Sequence, residues 1–300
     1  MSNAELTEQG ATADVVAAAA LPRRQSAIGR FIRRQPAGAA SLIIIVAWCL
    51  IAVLAPVVAP FPESEFVGDP YQSPGATYLF GTDQFGRDVF SRTLWGSRVS
   101  LSIGVAGALI GVTAGAALGT LAGFVRGPFD TVVVRLVDGL QSIPALVFAL
   151  VIVGSFGASL QNVLIGVVLI FIPTNARVAR VVTRSIAARP FIEAARACGA
   201  SSLRVVLRHI VPNVFPPMLV LYSLAVGGGI VVEATLSFLG VGVSPNVASW
   251  GSMIQASGIQ TLASFWWVML APSLAIATAV YAANLLGDAL RDQLDPRLRT

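Results

Sequence analysis

The chain has 300 residues, 55% of them hydrophobic and only 12% charged, with a mean hydropathy of +0.78. A soluble domain is usually about 25% charged, so an ordinary soluble enzyme is excluded and an integral membrane protein is indicated. The net charge of +5 comes from twenty Arg and no Lys, placed beside apolar blocks as membrane topology requires, so it does not indicate nucleic-acid binding.

Cys49 lies in the first apolar block and Cys198 in a polar loop, depths at which the two cannot pair. The lone His209 and the lack of a Cys/His cluster argue against a structural metal site. Ala17 to Ala20 is too short for the core of a signal peptide and is followed by Arg23 and Arg24, so the first apolar block should remain as a span.

Residues 1–25 are polar and Ala-rich, with no apolar face to bury, and are expected to form a disordered cytoplasmic tail. Residues 26–60 form an anchor and first span. An uncharged run from 37 to 59 crosses a hydrocarbon core of about 30 Å, and Arg23, Arg24, Arg30, Arg33 and Arg34 hold its start inside. Residues 61–98 turn polar, with Pro62, Pro70, Pro74, five acids and three Arg, and should lie outside. There Phe85, Val89 and Trp95 suit an interfacial helix, with Trp95 at headgroup depth.

Residues 99–300 make the core. A second span, 99–125, carries Gly107, Gly111, Gly115, Gly119 and Gly123 at strict four-residue spacing, which lets another helix approach its backbone. Static close packing and a gliding surface are both consistent with that face. After Arg126, Asp130, Arg135 and Asp138 no charge appears until Arg177, room for a third span at 132–153 and a fourth at 160–179, split by the hairpin Gly154–Ser159. Gln141 and Pro144, then Pro173 and Asn175, are polar or helix-breaking points and candidates to line a pathway. The fifth span, 212–236, contains Gly227 to Gly229 and Glu233, about 30 Å beyond Pro212 at helical rise and so near the outer boundary. An acid at that depth is a candidate for the pathway, or else a solvated interfacial carboxylate or the partner of an outer arginine. A sixth span covers 265–286.

Between the fourth and fifth spans lies a basic polar island, Arg189 to Asn213. Pro190 suits the first turn of a helix, with Glu193 at its positive end, and Gly199 stops it. Ser201 and Ser202 can cap a second short helix, which Pro212 ends, and Pro212 can start the next. Small residues at the elbow, Ala194, Ala195 and Gly199, would let another protein reach the backbone. With this island inside, seventeen of the twenty arginines face the cytoplasm and three face out, a bias that one miscounted span would reverse.

Glu193-Ala-Ala195, then Gly199 and Pro212, resembles the cytoplasmic "EAA" coupling loop of ABC importer permeases. His209 stands where that pattern usually has Ile, as in the dipeptide and oligopeptide branch. Three further stretches resemble the same branch: Leu79 to Leu101, Glu233 to Gly242 followed by Ser249-Trp-Gly251, and Asp288 to Arg299. Together they cover residues from about 28 to 300.

The resemblance implies an all-α integral membrane fold of the type I class, with six transmembrane helices, both termini cytoplasmic and a coupling loop at 189–212, in a bacterial inner membrane. It implies ATPase docking through Glu193, Ala194, Ala195, Gly199 and Pro212. Its partners would be a second permease forming a heterodimer, two cytoplasmic ATPase subunits or domains, an extracytoplasmic substrate-binding protein and membrane lipid, with no nucleic acid. No cofactor is implied in this chain; ATP and Mg would be held by the ATPases. The cargo implied is dipeptides or oligopeptides, with nickel as the alternative. Two other classes fit less well. The chain lacks a Gly-rich phosphate loop ending in Gly-Lys-Ser/Thr, and its only His lies in the island, far from any intramembrane nucleophile. A self-contained carrier or channel usually has several acids at membrane depth, whereas Asp138 and Glu233 sit near opposite edges.

Overall fold

The computed structural model describes residues 35–244, 246–258 and 264–294. The tail expected at 1–25, the five arginines before the first span and the end of the C-terminal motif lie outside them. Among the described residues the architecture is entirely helical, with one isolated extended pairing between Thr82 and Asp88. Five helices among the described residues are long and apolar enough to cross a membrane, and the count is six when the bent pair at 127–141 and 145–156 is taken as one span.

Helix α1, Pro36–Val58, begins on a proline, whose fixed φ suits a first turn. It shows most of its surface, with Ile43, Val53 and Val57 exposed, as a helix in lipid does. Residues 61–88 fold as a cap. The Thr82 hydroxyl donates to the Asp69 carbonyl at 2.7 Å and accepts from the Gln72 amide at 2.8 Å. Asp83 accepts from the amides of Phe85 and Arg87 and pairs with the Arg87 guanidinium at 2.7 Å. Gly86 takes a left-handed φ of +75° against the Gly68 carbonyl, where a β-carbon would overlap.

Asp88 caps helix α2, Val89–Val125, by accepting from the Ser91 amide at 2.8 Å. The interfacial helix expected around Trp95 is therefore the first part of α2, and the second span starts ten residues before position 99. Trp95 donates to the Phe61 carbonyl at 3.2 Å, which ties α2 to the cap.

The span expected at 132–153 is corrected: it is two helices, α3 Gly127–Gln141 and α4 Ala145–Phe156, meeting at 85°. Pro144 lacks a donor and keeps the residue before it out of helix, so the Ser142 amide closes α3 on the carbonyls of Asp138 and Gly139. Helix α5, Leu160–Ala187, is capped by Ser159 and continues past the expected end at 179.

The island folds as α6, Pro190–Ala197, then α7, Ser202–Val205, which runs through a π turn, Val206–Ile210, into α8, Val211–Phe238. Pro212 sits in the first turn of α8, as expected of a proline that starts a helix, but it does not break the chain from the island helix before it, because the path is helical from Ser202 to Phe238. The Val211 amide reaches back five residues to the Val206 carbonyl, and this wider turn absorbs a proline that cannot donate. Helix α9, Trp250–Ser257, starts from a reciprocal cap between Ser249 and Ser252, and α10 is Trp266–Leu294.

In the bundle α5 packs on α2, α2 on α8, α8 on α10 and α10 on α1, with α3 and α4 flanking α5. The arginine bias makes the end carrying the cap the outer one.

Candidate functional site

Helix α2 is the axis of the molecule, and its glycines set how close the neighbours come. Gly107, Gly111, Gly115, Gly119 and Gly123 all face α5. A β-carbon would lie 2.5 Å from Val167 at Gly107, 2.6 Å from the Ile172 carbonyl oxygen at Gly115 and 2.7 Å from that of Arg180 at Gly123. The two backbones touch along the whole seam, as small residues four apart permit. Gly104 turns a different way, toward Ile230 and Val226 of α8.

At the outer end, Glu233 of α8 is wholly buried. It is neither solvated nor paired with an arginine. The Ser100 hydroxyl donates to one of its oxygens at 2.7 Å and the Ser237 hydroxyl to the other at 2.8 Å. Ser100 also accepts from the Trp250 amide at 3.2 Å, and the Trp250 indole donates to the Thr93 carbonyl at 3.0 Å. The carboxylate thus joins α2, α8 and the start of α9. Beyond it, Glu63 accepts from the Ala248 amide at 3.0 Å, and the buried Arg92 donates to the Glu63 carbonyl at 2.6 Å. Cap and α9 are one hydrogen-bonded unit.

The three residues singled out for a pathway do not converge. Gln141 donates to Thr174 at 3.2 Å. Asn175 is buried against Gly115, donating to the Phe171 carbonyl at 2.7 Å, with its side-chain oxygen unpartnered among the described residues. Glu233 bonds Ser100, fifteen residues before Gly115 and so roughly 22 Å along α2. None of the three lines the cavity of about 420 Å³ between α2 and α8, whose walls include Thr113, Thr120, Phe215, Met218 and Tyr222. There the Tyr222 and Thr113 hydroxyls share a hydrogen bond.

At the inner end the island forms a projecting elbow. Gly199 has φ +82°, its amide donates to the Arg196 carbonyl at 2.9 Å, and the Ala200 amide donates to the Ala195 carbonyl at 3.0 Å. That pair of bonds is a Schellman motif, which requires the left-handed residue. Glu193, Ala194, Gly199 and Pro212 are exposed and Ala195 is half-buried. Behind them Ile192, Val205 and Ile210 pack with Ile186 and Val214, so the elbow is continuous with the cores of α5 and α8. Arg196 lies 5.4 Å over the Phe124 ring and links it to α2 as well.

A glycine-seamed bundle with a rigid inner elbow suits a transport component, and the family described as binding-protein-dependent transport system inner membrane component matches residues 115–300. The chain belongs to this family. It is a multi-pass bacterial membrane permease. A putative peptide transport system permease of Brucella suis is 43% identical over 255 residues, covering 83% of this chain and 86% of the relative. A glutathione transport system permease of Pectobacterium atrosepticum is 37% identical, covering 90% of each chain. A di/tripeptide transport system permease of Pseudomonas aeruginosa is 36% identical, covering 87% of this permease and 88% of the relative.

Two clusters escaped the sequence reading. Asp130 is buried between α3 and α5 and pairs with both Arg180 and Arg184, the Arg180 contact through two bonds. The four-residue spacing of those arginines was a visible signal, but their acid lies fifty residues earlier. The other is Asp83 with Arg87 and Arg92, which shapes the cap.

Proposed function

We propose that this permease, with a second permease, forms the pathway by which dipeptides or oligopeptides enter the cell. Two cytoplasmic ATPase subunits drive it, and an extracytoplasmic binding protein delivers the cargo. Both termini are cytoplasmic. The elbow formed by Glu193, Ala194, Ala195 and Gly199 sits in a groove of an ATPase subunit and passes its closing motion to α5 and α8. The observation that carries this is the 43% identity, across 83% of the chain, to a permease named for peptide transport. The names of the glutathione and di/tripeptide relatives support peptides over nickel. The test is import by the purified, reconstituted complex. Labelled di- and tripeptides should accumulate in an ATP-dependent way with chelator present; transport that requires nickel would move the cargo to the metal.

A further inference from the structure

Helix α5 carries all its charge toward its inner end. From its start at Leu160, Arg177 lies 17 residues along and Arg184 24, roughly 26 and 36 Å at helical rise. A hydrocarbon core is about 30 Å thick, so these guanidiniums bracket its inner edge, the depth of the headgroup phosphates. Helices α3 and α5 together hold four arginines, Arg135, Arg177, Arg180 and Arg184, against two aspartates, Asp130 and Asp138, a surplus of two positive charges.

The charges line a cleft. Between the two helices is a cavity of about 250 Å³ walled by Val134, Val137, Ala176 and Val181, with Arg177 and Arg180 along it. Arg180 gives two N–H groups to the buried Asp130. A guanidinium has five N–H donors, and Arg177 and Arg184 each spend only one on an aspartate, Arg177 on Asp138 and Arg184 on Asp130. Both arginines are exposed, and with the exposed Val181 between them they share one face of α5. The exposed Arg135 stands one turn from Asp138 on α3. Spare donors, surplus positive charge and an apolar wall at headgroup depth suit a ligand that is anionic at one end and apolar at the other. The cytoplasmic leaflet supplies such ligands, and basic pockets between helices on that side hold their headgroups. We propose that the cleft between α3 and α5 binds one anionic phospholipid of the cytoplasmic leaflet. Its phosphate bonds Arg177, Arg135 and Arg184 add positive charge around it, and the first carbons of an acyl chain lie against Val134 and Val181. A zwitterionic lipid has the same phosphate but balances it with its own cation, so the site selects by net charge.

The test takes the full chain, purified in detergent with the partners that accompany it, and adds phosphatidylglycerol or phosphatidylcholine carrying a photoreactive group at the start of one acyl chain. Phosphatidylglycerol should crosslink to the segments around Val134 and Val181 in several-fold higher yield than phosphatidylcholine. Arg135→Gln combined with Arg177→Gln should lower that yield several-fold and leave the unfolding temperature without lipid unchanged, because both side chains are exposed. Val181→Glu, which puts an acid on the exposed wall, should lower crosslinking at Val134 as well and serves if the double variant proves unstable. Arg98→Gln, exposed at the outer end, should keep the wild-type yield. No crosslink at either segment, equal yields from the two lipids, or wild-type yield in the double variant and in Val181→Glu overturns the proposal. Loss of the crosslink on adding inorganic phosphate overturns it too, since the cleft would then be a site for a soluble anion.

Discussion

Gly119 of α2 lies so close to Ala176 of α5 that a β-carbon on Gly119 would overlap the Ala176 carbonyl oxygen. Neither party can yield cheaply, because the obstacle is helical backbone and not the end of a flexible side chain. Gly119→Ala should therefore force α2 and α5 apart, with a loss on the order of 1–3 kcal/mol, the usual cost of overpacking. Gly139→Ala in α3, where nothing lies within 4 Å of the added carbon, is the matched control. Thermal stability and abundance in membranes should fall for Gly119→Ala and for the larger Gly111→Leu and Gly115→Leu, and stay unchanged for Gly139→Ala. Equal stability of Gly119→Ala and the control would show that the seam opens freely.

Glu233 offers a second contrast. Its two oxygens are occupied by the hydroxyls of Ser100 and Ser237, so its position in the bundle asks for an acceptor there and not for a mobile charge. Glu233→Gln retains one carbonyl acceptor and should keep most uptake. Glu233→Leu strands both hydroxyls and loosens Trp250, at a cost of about 1–3 kcal/mol for each buried polar group left unmade. Protease sensitivity of the outer loop around α9 should rise in Glu233→Leu alone. Transport abolished in Glu233→Gln at wild-type stability would instead make the ionised carboxylate part of the pathway.

The sequence showed the elements that follow local rules and hid those that depend on distant partners. The uncharged run of α1, the α5-facing glycines of α2 and the left-handed Gly199 were legible because each repeats or punctuates over a few residues. The bend at Pro144 was marked as a helix-breaking point, yet its 85° angle depends on how α3 and α4 each pack on α5. Ser100 and Glu233 are 133 residues apart and Arg92 and Glu63 are 29 apart; no periodicity reports such pairs. Helical rise counted from Pro212 put Glu233 toward the far end of its helix, but only the fold of α9 over it explains why it is buried.

Asp130 and Asp138 of α3 both face arginines of α5, in different surroundings. Asp130 is buried between Arg180 and Arg184, while the side chains of Asp138 and Arg177 are each about half exposed, at 55% and 52%. Removing Arg180 should leave a poorly compensated buried charge and cost about 2 kcal/mol, between the surface and fully buried limits. Removing Arg177 should cost less than about 0.5 kcal/mol in the same assay. Arg180→Ala is therefore expected to lower the unfolding temperature of the purified chain and Arg177→Ala to leave it unchanged. The reverse order would mean that the exposed pair is covered in the assembled protein.

The elbow allows the sharpest separation of folding from coupling. Gly199 holds φ +82° in a Schellman motif, yet nothing lies within 4 Å of a β-carbon built on it. Gly199→Ala thus adds only the conformational cost of a left-handed residue, about 1–2 kcal/mol, at a site far from the six crossings. Gly199→Arg adds to that a long charged side chain on the exposed surface beside Glu193 and Ala194. Ala195→Asp places a second carboxylate two residues after Glu193 at a half-buried position. On the proposal that the elbow sits in an ATPase groove, Gly199→Arg and Ala195→Asp should reach the membrane at wild-type abundance while uptake and substrate-stimulated ATP hydrolysis fall together, and Gly199→Ala should lose far less of both. Wild-type uptake in Gly199→Arg and Ala195→Asp at equal abundance would reduce the elbow to an ordinary cytoplasmic hairpin. Loss of uptake with stimulated hydrolysis intact would place the defect after docking, in the relay from Ile192 and Val205 to α5 and α8.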